Sequence, residues 1–120
     1  GKAYAPGAAP GLGDRAAAAE ELQARLAAED LVRVDDPRLA GFLEERGTLR
    51  RVGDGYAVSA ELYDRGRAIL ETLSPITIAG FRDALGSSRR VAQLLLERYD
   101  ADGITLRVGD ERRLRASRPR

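Results

Sequence analysis

Several residue types that support catalysis or cross-linking are missing from this chain of 120 residues. It contains no Cys, which excludes disulfides, zinc–thiolate sites and thiol nucleophiles. It contains no His either, so the commonest general base and metal ligand is missing. No G-x-x-x-x-G-K-[ST] motif is present, which excludes a P-loop nucleotide site. These absences argue against an enzyme and against a bound metal or cofactor.

Long apolar runs, aromatic residues and Met are also scarce or absent. The longest apolar runs fall well short of the roughly 18 residues that a membrane span needs, so we expect no membrane partner. Four Tyr and two Phe are the only aromatic residues, so any core should be mainly aliphatic. A chain that opens on Gly and contains no Met is expected to be a segment of a longer protein.

Charge is divided unevenly between the two halves of the chain. Residues 1–75 hold 10 basic and 13 acidic residues, whereas residues 76–120 hold 10 Arg and 6 acidic residues. The net charge is therefore −3 in the first part and +4 in the second, which together give the overall +1. A basic excess confined to one half points to a polyanionic partner for that half. The alternative is a solvated basic face without a partner.

The first half predicts helices followed by a β-hairpin. Residues 1–13 are rich in Gly, Ala and Pro and are expected to be a flexible linker or a frayed start. Asp14 is a suitable N-cap for the first helix, and Asp36 followed by Pro37 marks the start of the next. The turn at residues 53–55 lies between β-forming segments and predicts a hairpin.

The second half repeats this order. Ser59, Thr77 and Ser88 are each suitable caps for a following helix, and Gly86 is placed to end the second of these helices. Two further strands are predicted around Gly109-Asp110.

An internal duplication connects the two halves. At an offset of 56 residues, five positions in and just before the first hairpin recur in and just before the second: Gly47, Arg51, Val52, Gly53 and Asp54 match Gly103, Arg107, Val108, Gly109 and Asp110. We therefore predict a mainly α fold with small β-hairpins (α+β), arranged as tandem winged-helix units. The predicted units span residues 14–58 and 59–115, and residues 116–120 form a basic tail.

The start of the last helix is a candidate phosphate site. Gly86-Ser87-Ser88 joins two predicted helices, as in a helix-turn-helix, and the second helix opens with Arg89 and Arg90. Two cations in a first turn oppose the helix dipole, at a cost of about 0.3–1 kcal/mol each. A bound anion would remove that cost and would meet free N–H groups and the Ser88 hydroxyl. The alternative is an ordinary Ser cap beside solvated arginines.

The second hairpin supplies further candidates for nucleic-acid contact. Because strand residues alternate between faces, Arg113 and Arg115 should share one face and Arg112 the other. The alternative is a charged hairpin that protects its own edge from aggregation. The predicted nucleic-acid-binding residues of helix and hairpin are Ser88, Arg89, Arg90, Arg107, Gly109, Asp110, Arg112, Arg113 and Arg115.

Acidic pairs are the remaining candidates for chemistry. Asp100 with Asp102, and Glu44 with Glu45, could act in acid–base catalysis or hold Mg²⁺. Adjacent helical carboxylates point to different faces, however, and the sequence places no His or Lys beside them. We therefore predict no catalytic and no metal-binding residue.

Three segments resemble the C-terminal winged-helix domains of the selenocysteine-specific elongation factor SelB. Residues 76–90 (ITIAGFRDALGSSRR) are similar to the family pattern I-T-V-A-x-F-R-D-x-L-G-T-S-R-K. Leu95-Leu96-Glu97 and Asp100 resemble its L-L-E-x-x-D, and residues 105–114 resemble its T-x-R-V-G-D-x-R-x-L. The resemblance covers residues 76–114, while residues 14–73 fit the preceding winged-helix domain only in general layout.

The resemblance implies a non-enzymatic module of a cytoplasmic translation factor. In that family the last winged helix binds an mRNA hairpin for selenocysteine incorporation at UGA codons, and contacts fall on RNA backbone and exposed loop bases. The resemblance implies that a part N-terminal to this chain is a GTPase, with selenocysteinyl-tRNA, GTP and the ribosome as partners. It implies that this chain itself is a monomer without a cofactor. Val91, Gln93-Leu94 and Arg98 depart from the family pattern, which leaves RNA sequence preference open.

Two other functions remain compatible with the residues alone. A DNA-binding winged-helix regulator would place the helix at residues 89–101 in a major groove. A winged helix used only for protein contacts would leave the arginines without a nucleic-acid role.

Overall fold

The computed structural model describes the backbone of residues 10–115 and the side chains of residues 16–115. Within this part the chain forms five helices and five short strands. In chain order they are α1 (Pro10–Ala28), β1 (Val32–Arg33), α2 (Pro37–Glu45), β2 (Leu49–Val52), β3 (Tyr56–Ser59), α3 (Ala60–Leu70), α4 (Ile78–Leu85), α5 (Arg89–Ala101), β4 (Thr105–Val108) and β5 (Glu111–Leu114). None of the described helices is both long and apolar enough to cross a membrane.

Local capping determines where most of the helices begin. The Asp36 carboxylate accepts hydrogen bonds from the backbone N–H groups of the first turn of α2, with Pro37 at the first helical position. The hydroxyls of Ser59, Thr77 and Ser88 cap α3, α4 and α5 in the same way. The predicted caps at these four positions are therefore confirmed.

The first hairpin is buried on both faces. Strand β3 lies between β1 and β2 in an antiparallel sheet, with Val32 opposite Ala57 and Val52 opposite Tyr56. One face contributes Val32, Leu49 and Ala57 to a core formed with α1 and α2. The opposite face contributes Val52 and Val58 to a second core. The hairpin thus forms part of both hydrophobic cores.

The second core is built mainly by α3, α4 and α5. Phe81, Leu95 and Tyr99 are fully buried there, and the edge of the Phe81 ring packs against Tyr99. The Tyr99 hydroxyl donates a hydrogen bond to the carbonyl of Tyr63 at 2.7 Å. Strands β4 and β5 pair antiparallel, and Ile76 bridges to Arg112 as a short third strand. These elements have the order of a winged helix, in which a hairpin follows a helix-turn-helix.

The first part differs from the second in its number of helices. Only α2 lies between β1 and the first hairpin, whereas α4 and α5 both lie between Ile76 and the second hairpin. Within the described residues, the first part therefore has one helix fewer than the second, and it lacks a counterpart of the tight turn that joins α4 to α5.

Two predicted boundaries also change. Helix α1 begins at Pro10, ahead of the predicted cap at Asp14, because Pro is well suited to a first helical position. Helix α3, whose sequence predicts a helix that includes Leu73 and stops before Pro75, ends at Leu70 and is followed by a turn in which the Leu73 N–H donates to the Leu70 carbonyl. The rest of the predicted linker, residues 1–9, and the predicted tail, residues 116–120, lie outside the described residues.

Polar contacts between α5 and the first hairpin hold the two cores together. Arg98 forms an ion pair with Glu44 at 2.6 Å and donates to the Arg51 carbonyl at 2.6 Å. Arg51 also donates to Glu44 at 2.6 Å. Arg98 further contacts Asp102, which accepts a hydrogen bond from Tyr63 at 2.6 Å. The network links α2, β2, α3 and α5, so it orients the last helix against the first part of the chain.

Candidate nucleic-acid interface

The start of α5 presents an arginine pair to solvent. Ser88 caps the helix by accepting a hydrogen bond from the Val91 N–H at 3.1 Å. Arg89 and Arg90 follow in the first turn, which contains no acidic residue, and both are exposed. Among the described residues, neither arginine has a carboxylate within ion-pair distance. This end of α5 therefore carries two uncompensated cations beside free backbone N–H groups, an arrangement suited to a phosphate.

The turn before α5 is fixed by contacts at both of its ends. Gly86 adopts the left-handed conformation with φ of 74°, which ends α4 and lets the chain reverse into α5. Ser87 donates a hydrogen bond to the Asp30 carboxylate at 2.6 Å. The Arg90 guanidinium lies 4.8 Å from the centroid of the Tyr56 ring on β3. The first part of the chain thus helps to position the start of α5.

Tyr56 and Asp30 were not among the residues predicted from sequence. Both belong to the first part of the chain and reach the α5 start only through packing between the two cores. A half-buried Tyr in a hairpin strand gives no local signal that an arginine more than 30 residues away stacks on it.

The second hairpin has one inward and one outward face. The register pairs Thr105 with Leu114 and Arg107 with Arg112 on the inward face. Leu106 pairs with Arg113 on the outward face, where Leu106 is 50 % exposed. The alternation continues past β5 to place Arg115 on the outward side. Arg113 and Arg115 therefore lie on the face opposite Arg112, as the alternation predicted.

Arg112 is removed from the candidate interface by its burial. Its side chain is only 4 % exposed, and its Nε lies 3.0 Å from the Asp100 carboxylate. The Thr105 hydroxyl donates to the same carboxylate. Because Asp100, near the end of α5, holds the guanidinium inside the protein, the prediction that Arg112 contacts RNA does not fit the structure. Arg112 instead fastens the hairpin to α5.

The tip of the second hairpin is exposed and turn-like. Gly109 has a φ of 62°, a conformation that a residue with a side chain rarely adopts. The Arg107 side chain folds toward the tip, where its Nε donates to the Gly109 carbonyl at 3.2 Å. Asp110 is exposed beside it. Arg107 and Asp110 are thus both open to a partner at the tip.

Three of the four acidic residues considered for catalysis, Glu44, Asp100 and Asp102, are occupied in structural contacts. Burial raises the pKa of Glu44, but hydrogen bonds from Arg51 and Arg98 outweigh it and hold the pKa below its ordinary value. Asp100 and Asp102 are bound by Arg112 and Arg98, respectively. In the described part of the chain, acidic side chains form no group of three or more that could hold a metal ion.

Burial also shifts the tyrosines beside this network. Burial together with the hydrogen bond to Asp102 raises the pKa of Tyr63 to about 12. Burial likewise raises the pKa of Tyr99. Both hydroxyls therefore stay protonated near neutral pH and act as hydrogen-bond donors within the fold.

The remaining predicted cations share one property. In the part of the chain that the structure describes, each is exposed and none forms an ion pair. These cations are Arg89, Arg90, Arg107, Arg113 and Arg115. Since no carboxylate neutralises them, they give the α5 start and the second hairpin a positive surface that suits a phosphate backbone.

A comparison with protein families gave a match to this part of the chain. Residues 68–114 match the family model described as "Elongation factor SelB, winged helix". The matched segment is therefore similar to a winged helix of elongation factor SelB. The match includes the end of α3, the helix-turn-helix of α4 and α5, and both strands of the second hairpin. All the exposed candidate cations except Arg115 fall within it.

Solved structures share the fold of residues 68–114 and of the part that precedes them. A crystal structure of bacterial selenocysteine-specific elongation factor EF-Sec is 24 % identical with a TM-score of 0.69, over 82 % of this chain and 18 % of that one. The mRNA-binding domain of elongation factor SelB from E. coli, in complex with SECIS RNA, is 24 % identical with a TM-score of 0.54. That match covers 66 % of this chain and 69 % of the other. A search of curated proteins gave no match.

Proposed function

We propose that this chain is the mRNA-hairpin-binding module of a selenocysteine-specific elongation factor. The observation that carries the proposal is a pair of exposed arginines, Arg89 and Arg90, at the α5 start. Neither forms an ion pair with a described residue, and both lie in the segment that matches the SelB winged-helix family model. A structurally similar domain of SelB from E. coli was solved with SECIS RNA bound. The proposed ligand is the corresponding hairpin in the mRNA of a selenoprotein.

Two features of the chain support contact with a phosphate backbone. The α5 start offers two guanidinium groups and free N–H groups, which suit phosphate oxygens. The second hairpin adds Arg107, Arg113 and Arg115, each without an ion-pair partner among the described residues. Exposed apolar side chains on the outward hairpin face, Leu106 and Val108, could pack against unstacked loop bases.

The module itself performs no chemistry in this proposal. It tethers a larger factor to the mRNA so that selenocysteine is inserted at a nearby UGA codon. The chain spans 18 % of the EF-Sec chain that it matches. GTP hydrolysis, selenocysteinyl-tRNA binding and ribosome contact would therefore belong to other parts of a full-length cytoplasmic protein.

A filter-binding titration tests the proposal directly. The chain is titrated against an mRNA hairpin taken from just downstream of a selenocysteine UGA codon and, separately, against a random DNA duplex. Tight binding selective for the hairpin is expected. With about 3–5 phosphate contacts, the log–log slope of affinity against salt should lie near −2 to −4.

Other outcomes favour other functions. Equal or tighter binding to the DNA duplex would contradict the proposal and favour a DNA-binding regulator. Absence of binding to either nucleic acid would indicate a winged helix used for protein contacts.

A further inference from the structure

A second group of cations lies at the junction between the two cores. The Arg33 guanidinium is 5.9 Å from the centroid of the Tyr56 ring, and the Arg90 guanidinium is 4.8 Å from the same centroid. Arg33 belongs to β1 and Tyr56 to β3, whereas Arg90 belongs to α5. The ring therefore brings a cation of the first part next to the α5 start. We call Arg33, Tyr56 and Arg90 the junction patch.

The geometry of the junction patch suits consecutive phosphates of one strand. The two guanidinium carbons can be no farther apart than the sum of their distances to the shared ring centroid. Along the axis of a duplex, successive phosphates of one strand are about 3.4 Å apart, so two cations within this span can bind neighbouring phosphates of the same strand. A strand held by Arg90 would accordingly pass within reach of Arg33.

Neighbouring acidic groups leave Arg33 accessible. Asp30 is occupied by the hydrogen bond from Ser87, and Asp36 by the backbone at the start of α2. Asp35 pairs with Arg33 at 3.0 Å, but the two side chains are 86 % and 68 % exposed. Such exposed pairs are weak because water and salt screen them, so a phosphate can compete for Arg33.

We infer that the RNA held by the second winged-helix unit also contacts the first part of the chain, through phosphates bound by Arg33 at the junction patch. This inference rests on the proposed function, because it needs an RNA strand at the α5 start. It extends the RNA surface from the second hairpin, across α5, to β1. The first part of the chain thus contributes to affinity as well as to positioning α5.

Charge-changing variants of the whole chain test the inference by hairpin binding. Arg33→Ala should weaken binding by about 3- to 10-fold and reduce the magnitude of the salt slope by about 0.7–0.9, the effect of one lost phosphate contact. Arg46→Ala, at the far end of α2, removes the same charge as a matched control and should change affinity by less than about 2-fold. Asp35→Asn removes the competing carboxylate and should tighten binding.

The outcomes separate the inference from the proposed function. If the unaltered chain fails to bind the hairpin, the proposed function fails and the inference with it. If the unaltered chain binds but Arg33→Ala matches Arg46→Ala in affinity and slope, only the inference is overturned. Weaker binding by Asp35→Asn would also overturn it, because that carboxylate should repel the RNA. Circular-dichroism melts of all three variants confirm that each remains folded.

Discussion

Removal of the Asp100 carboxylate should destabilise the chain strongly. Asp100→Ala leaves the Arg112 guanidinium, which is 4 % exposed, without its carboxylate partner and deprives the Thr105 hydroxyl of its acceptor. Breaking a buried ion pair from one side costs about 3–5 kcal/mol. Because the Asp100 side chain is 28 % exposed, water can partly replace it, and we expect a loss of about 2–4 kcal/mol in the free energy of unfolding.

Urea denaturation followed by circular dichroism at the helical band measures this loss. Asp83→Ala is the matched control, since Asp83 pairs with Arg82 at the same 3.0 Å but is 71 % exposed. That control should lose less than about 1 kcal/mol. A double replacement, Asp100→Leu with Arg112→Met, should be more stable than Asp100→Ala alone because it removes both charges. If Asp100→Ala and Asp83→Ala unfold at the same urea concentration, Arg112 is not held as described and could return to the RNA interface.

Three further predictions concern the core and its ionisable groups. Phe81→Ala and Leu95→Ala should each lower the free energy of unfolding by about 2–5 kcal/mol in the same urea assay, because both side chains are fully buried. An unchanged midpoint of the urea transition would mean that these side chains do not lie in the core. Because the pKa of Glu44 is lowered in the folded chain, its stabilising contribution is present above the ordinary value of 4.5 and is lost as pH falls through the folded pKa. Glu44→Gln should therefore flatten the acid limb of a plot of stability against pH, and an unchanged acid limb would count against the network. Because the pKa of Tyr63 is raised from 10.0 to about 12, its contribution to the free energy of unfolding is present below pH 10 and declines toward pH 12. Tyr63→Phe should therefore reduce the loss of stability at alkaline pH. An equally steep loss in the variant would refute the raised pKa of Tyr63.

Local signals were sufficient to predict the starts of α2, α3, α4 and α5. A capping side chain bonds to backbone two or three residues ahead, so Asp36, Thr77 and Ser88 could be recognised without knowledge of distant contacts. The alternation of Arg112 and Arg113 between opposite faces of the hairpin could be recognised for the same reason.

Which face of the second hairpin points inward could not be read from sequence. Both faces carry arginines, and only the position of Asp100 on α5 draws Arg112 inside. The burial of the first hairpin on both faces was only weakly indicated by the sequence. Ala57 and Val58 are adjacent apolar residues, whereas a strand with one exposed face would alternate apolar and polar residues. The contact of Arg90 with Tyr56 depends on how the two cores pack together, and no local sequence pattern predicts that packing.

Binding of the mRNA hairpin by two charge-matched double variants tests most directly whether the α5 start holds the RNA backbone. Arg89→Ala with Arg90→Ala removes the pair at the α5 start, whereas Arg65→Ala with Arg67→Ala removes two exposed arginines from α3. We expect the first double variant to bind the mRNA hairpin at least about 10-fold more weakly while it remains folded in a circular-dichroism melt. We expect the second double variant to bind nearly as the unaltered chain does. Equal affinities of the two double variants would contradict the claim that the α5 start holds the RNA backbone.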